Sequence, residues 1–111
     1  MFRKREINPF PVSDKVTFRN VDKEITLYVR ANASALVLGL KNVNERLNAF
    51  ADSANEDEHK AVARAFADTL FGAEQGEKLY DFYGEPLAVI TACGMYFKER
   101  LAKKITKAQK K

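Results

Sequence analysis

His59, Cys93 and the run Glu56-Asp57-Glu58 are the residues in this chain best able to do chemistry. The chain has one histidine and one cysteine. Nucleophilic catalysis needs a nucleophile, a base within hydrogen-bond reach and a group that orients the base. His59 follows directly on three acids, as in the exposed first turn of a helix, and no nucleophile–orienter pair lies near it in sequence. It reads as a surface histidine. Cys93 adjoins an apolar helical stripe and reads as a small buried hydrophobe. One histidine and one cysteine do not make an ordinary zinc site. The three carboxylates suit a helix N-terminus, where the helix dipole favours negative charge. Gly72, Gly76 and Gly84 have neither the spacing of a phosphate loop nor the strand that precedes one. The expectation is a protein that is not an enzyme, with no cofactor and no metal.

Binding chemistry has more to offer, because the charge is segregated. The net charge is +4 over 111 residues. Residues 98–111 carry seven basic residues against one acid, a net +6, while residues 45–85 carry ten acids against four bases, a net −6. Lys98, Arg100, Lys103, Lys104 and Lys107 therefore form a candidate electrostatic tail. With Arg3, Lys4 and Arg5, such a tail can neutralise phosphates. The tail lysines, however, fall on the outer face of an amphipathic helix, opposite Phe97, Leu101 and Ile105. No aromatics are interleaved for base stacking, and the acidic middle repels a duplex. A solvated face fits better than nucleic acid, and charge of opposite sign at two ends suits protein–protein assembly.

The elements that position these residues follow from hydrophobic periodicity. A chain of this length suits one domain. One cysteine makes no intramolecular disulfide, no apolar run reaches the ~18 residues of a membrane span, and no secretory signal is visible. Cytosol is the default location. Residues 1–14, with Pro9 and Pro11, read as an irregular segment. "KVTFR" and "EITLYVR" alternate around a turn-like "NVDK". They predict a β-hairpin over 15–30, with Val16, Phe18, Ile25, Leu27 and Val29 on one face and Thr26, Tyr28 and Arg30 on the other. The hairpin's edges are candidates for self-association.

From Ala33 the period changes to that of a helix. Leu36, Leu40, Val43, Leu47 and Phe50 form one stripe to about Ala54. Asn55 and Glu58 have capping-box spacing for a second helix, with Val62, Ala65, Phe66, Thr69 and Leu70 inward and Gly72 closing it. A third helix spans about Ala73 to Tyr83, ended by Gly84. Pro86 opens a fourth, with a stripe of Leu87, Ile90, Gly94, Phe97, Leu101, Ile105 and Ala108. Gly94 in mid-helix predicts close approach of another element. The fold class is α+β: an N-terminal hairpin packed on a mainly helical body of about four helices, over 33–109.

The break inside "LYDFYGEP" (79–86) then has a local cause, since Gly84 and Pro86 turn one helix into the next. The aromatics beside it have two readings: packing at the helix corner, or a partly exposed protein-binding patch.

The corner "LFG…KLYDFYG" followed by "C-x-x-YF-x-ER-x-x-x-KI" resembles small tail assembly chaperones of siphophages and prophages of Gram-positive bacteria. The likeness spans roughly residues 24–109 and is most specific over 70–109. It implies a non-enzymatic protein of the host bacterial cytoplasm, absent from the mature virion. The implied partners are tape measure protein, tail tube protein and further copies of itself, with no membrane. The matching positions are Phe71, Leu79, Tyr80, Phe82, Tyr83, Tyr96 and Phe97, as fold determinants or as contacts. The alternatives are a structural or connector protein retained in the virion and, with less support, a small nucleic-acid-binding regulator.

Overall fold

A computed structural model describes residues 11–49 and 56–109. Two strands come first among the described residues, β1 (Pro11–Asn20) and β2 (Lys23–Asn32). They pair antiparallel in unbroken register, from Pro11 opposite Asn32 to Asn20 opposite Lys23. Helices α1 (Ala33–Ala49), α2 (Glu56–Phe71) and α3 (Ala73–Tyr83) follow. The fourth helical rod has three parts: α4 (Pro86–Tyr96), a π-turn (Phe97–Leu101) and α5 (Ala102–Gln109). The architecture is α+β, a hairpin on four helical rods.

The alternation in the hairpin holds. Val16, Phe18, Leu27 and Val29 are buried with Val12, and Ile25 is half-buried against them, while Thr17, Thr26, Tyr28 and Arg30 face outward. The strand begins earlier than the alternation of 15–19 suggests, and residues 11–14 are not irregular. Pro11 stands first in β1, where a missing N–H donor is tolerated. Val12 and Asp14 continue the inward set. Phe50, the Asn55 cap and the basic residues 3–5 lie outside the described residues.

Helix α2 lies between α1, α3 and α4 and buries a wider face than its stripe predicts. Ala63, Ala67 and Phe71 join Val62, Phe66 and Leu70 in the core, while Ala65 and Thr69 are half-buried. Small residues let neighbouring helices come close. A Cβ at Gly76 of α3 would stand 2.0 Å from the Asp68 carboxylate and 3.0 Å from its backbone nitrogen. At Gly39 of α1, a Cβ would stand 2.6 Å from the Thr69 methyl carbon. These are the close crossings. The expectation for Gly94 fails, since nothing in the described structure lies within 4 Å of a Cβ there.

Gly84 ends α3 in the left-handed region, φ 70°, with its N–H bonded to the Tyr80 carbonyl at 2.7 Å, and Pro86 begins α4. Up to Tyr96 the rod that follows buries a different stripe from the expected one, and beyond it the expected Leu101, Ile105 and Ala108 are buried. Val89, Cys93 and Tyr96 face the core, followed by Leu101, Ile105 and Ala108. Between Tyr96 and Leu101 the step is five residues, where an α-helix offers three or four. The π-turn absorbs the extra residue: the Ala102 N–H bonds to the Phe97 carbonyl, five residues back. Leu87, first in the expected stripe, is instead 56% exposed.

Candidate protein-binding surface

The seven candidate aromatic and apolar positions divide by burial. Phe71, Leu79 and Tyr96 are core residues. Phe71 meets Phe18 edge-on at 5.7 Å and stacks with Tyr96 at 6.0 Å. Phe18 also meets Tyr96 edge-on at 6.2 Å. Tyr80, Phe82 and Tyr83 are half-buried at the corner, with Phe82 edge-on to Tyr83 at 5.1 Å. Their polar groups hold the hairpin: the Tyr83 hydroxyl donates to the Arg19 carbonyl at 3.0 Å, and the Asn20 amide donates to the Phe82 carbonyl at 3.0 Å. The break at "YGEP" thus clamps the hairpin's turn end. Phe97 stands apart from this corner and lines a groove farther along the rod.

The tail cations divide too. Lys98, Lys103 and Lys107 are exposed. Arg100 and Lys104 do not simply line an outer face; both reach Asp14. The Arg100 guanidinium donates to one Asp14 carboxylate oxygen at 2.6 Å, and the Lys104 ammonium lies 3.6 Å from the same oxygen. The Tyr96 hydroxyl donates to the other oxygen at 2.7 Å. The reason is the pleat: Asp14 falls between Val12 and Val16 on the inward face, its side chain is 6% exposed, and a buried carboxylate needs partners.

Burial raises the Asp14 pKa, but the Tyr96 hydrogen bond, the Lys15 backbone hydrogen bond and the charges of Arg100 and Lys104 outweigh it. The net effect holds the carboxyl below its ordinary value. Burial, then the bond to Asp14, pushes the Tyr96 hydroxyl up. Both shifts move away from neutrality, opposite to what proton transfer at neutral pH requires. The cluster is a strut tying β1 to both sides of the π-turn. Cys93 is likewise quiet, its thiol pushed up to about 12 by burial, which leaves little nucleophilic thiolate. His59 sits half-buried in the first turn of α2.

Asp14 was missed as a site residue. The signal was present in "VSDKVTF": period-two alternation extended back from Phe18 puts Asp14 inward. Gln75 was missed as well, with no comparable signal. Its amide accepts from the Tyr28 N–H and donates to the Tyr28 carbonyl, both at 2.9 Å. Tyr28 therefore belongs to the set whose backbone groups point away from β1, and Gln75 covers that edge of β2. On the other edge, Arg100 and Tyr83 take the Lys15 and Arg19 carbonyls at 3.5 and 3.0 Å. Side chains thus occupy the sheet edges that a third strand would otherwise use.

Two apolar features of the helical surface bear on binding. The first is α4. It has no charged residue in eleven positions, a pattern that belongs to a helix covered on all sides. Yet Leu87, Thr91 and Met95, spaced i, i+4, i+8, form an exposed stripe, with Met95 55% exposed and Gly94 open beside it. The second is a groove of about 460 Å³ between α1, α2 and the π-turn with α5. Its walls are Val37, Leu40 and Leu47, Phe66, and Phe97 with Ile105.

No protein-family model matches the chain, and no curated protein or solved structure is similar to it. No helix among the described residues is long and apolar enough to cross a membrane.

Proposed function

We propose that this protein is a non-enzymatic binding module whose α4 flank takes an amphipathic helix of a protein partner. The observation that supports it is the charge-free α4 with its exposed Leu87–Thr91–Met95 stripe. A contiguous apolar stripe left uncovered on a folded domain marks a contact site. The absence of a side chain at Gly94 lets a second backbone approach closely. With the resemblance of residues 70–109 to tail assembly chaperones, the partner is a tape measure protein, whose apolar helical stripes the module keeps soluble before the tail tube forms. Tail tube protein is the second partner in this reading, and the host bacterial cytoplasm is its place. The quiet pKa pattern of the Asp14–Tyr96 cluster and of Cys93 agrees with a binding role.

The test is co-expression with the tape measure protein from the same phage or prophage. The chain keeps that protein soluble and co-purifies with it. Leu87→Glu and Met95→Glu abolish this without lowering the Tm, because both side chains are already exposed in the isolated chain. Unimpaired co-purification of both variants removes the α4 assignment. Failure of the wild-type chain to retain tape measure protein removes the chaperone reading. Abundant protein in purified virions favours a retained structural component.

A further inference from the structure

Val21 stands where the chain has least reason to place a valine. It is the first of two residues in the hairpin turn, between the paired Asn20 and Lys23. Its φ is 59°, and it is the one non-glycine residue with positive φ among those described. Positive φ suits glycine, asparagine or aspartate, and for a β-branched residue it is an outlier. Val21 is also 94% exposed, so no packing within the chain compensates. Strain of this kind, held at an exposed apolar tip, points to a contact outside the molecule.

The groove is a receptor of the right chemistry. It is open to solvent, walled by aliphatic and phenyl groups, and large enough for a valine side chain with its flanking turn. The tip of a chain does not reach its own groove. The turn is bonded to the α3–α4 corner through Asn20 and Tyr83, whereas Ile105 and Gln109 line the groove near the far end of the fourth rod. The groove's wall on that rod begins at Phe97, eleven residues past Pro86, about 16 Å at 1.5 Å per residue, and runs away from the corner to Gln109.

Charge follows the same polarity. Asp22, Asp81 and Glu85 are exposed at the turn end. Lys41 lines the groove, and Lys103 and Lys107 line a depression that shares Ala102 and Thr106 with it. Arg19 at the turn is neutralised by Glu24 at 2.7 Å. Lys23 at the tip and Glu45 on α1 run against the trend, so the charges orient the docking and the apolar fit carries it.

We infer that copies of this chain associate head to tail, with the Val21 tip of one copy seated in the α1–α2–α5 groove of the next. This contact is distinct from the α4 flank. It is also heterologous: each copy keeps a free tip or a free groove, so association continues into a chain or closes as a ring.

Two variants and their mixture test it by sedimentation. Val21→Asn suits a positive φ better than valine, so the Tm stays level or rises, while self-association weakens by about ten- to hundredfold, as expected for losing one buried aliphatic side chain. Val37→Glu places a carboxylate on the exposed groove wall, and it too yields monomers. Mixed together, the two variants form a one-to-one dimer, because the first still offers a groove and the second a tip. A wild-type chain monomeric up to about 100 µM, a Val21→Asn chain that associates like wild type, or two monomeric variants that do not pair would each overturn the inference. None of these measurements involves a tape measure protein, so the assignment of α4 stands or falls separately.

Discussion

Replacing Asp14 with asparagine keeps the shape of the side chain and removes its charge. The amide still accepts the Tyr96 hydroxyl, but Arg100 at 2.6 Å and Lys104 at 3.6 Å lose the carboxylate they face. Both cations are about half exposed and rehydrate, so the loss stays below that of a fully buried pair. A hydrogen bond to a charged partner contributes about 1.5–3 kcal/mol. At about 4–8 °C per kcal/mol for a domain of this size, the Tm falls by about 6–24 °C. The effect depends on pH with a definite sign. The folded Asp14 carboxyl titrates below its ordinary value of 3.8. Its stabilisation is therefore complete above that value and is lost as pH falls through the folded pKa. Urea titrations followed by circular dichroism, from about pH 7 to about pH 2, resolve this. Wild type is more stable at neutral pH, and the two chains converge in acid. A second arm checks the cause. Asp14→Val leaves the buried Tyr96 hydroxyl without its acceptor and destabilises; adding Tyr96→Phe recovers part of the loss, since removing both polar partners is milder than orphaning one. Equal stability of Asp14→Asn at neutral pH, or a difference that persists in acid, would refute the strut.

Gln75→Ala uncovers the Tyr28 backbone at the edge of β2. The expected outcome is a loss of about 1 kcal/mol with faster aggregation by light scattering, and unchanged aggregation would show that this edge needs no cover. Gly76→Ala drives a methyl into Asp68 across the α2–α3 crossing, and thermal melts should show a loss of about 1–3 kcal/mol. Leu79→Ala, at a fully buried position, costs about 2–5 kcal/mol, whereas Phe82→Ala, at a half-buried one, costs less than the ~3–5 kcal/mol of a core phenylalanine. The reverse order would place Phe82 in the core.

The hairpin over 15–30 and its facing are legible in the chain because strand alternation is a local signal. Val16, Phe18, Leu27 and Val29 had one face available, and they took it. The breaks at Gly72 and at Gly84-Pro86 are legible for the same reason, since a positive φ or a missing N–H acts on its own residue. The stripes of α1 and α2 are legible too, with Leu36, Val43, Val62, Phe66 and Leu70 buried as expected, but the face that the fourth rod buries is another matter. The fourth rod presents two apolar stripes, Leu87–Ile90–Gly94–Phe97 and Val89–Cys93–Tyr96, and periodicity alone does not choose between them. Packing against α2 selects the second, and the π-turn then restores Leu101, Ile105 and Ala108 to the same side. Asp14 finds Tyr96 and Arg100 across separations of 82 and 86 residues, and Gln75 finds Tyr28 across 47. Local sequence signals reach about one helical turn or one strand pair. Which carboxylate is buried, which helix face stays bare and which edge is covered were decided by the tertiary structure, because each depends on groups that only folding brings within a hydrogen bond's length.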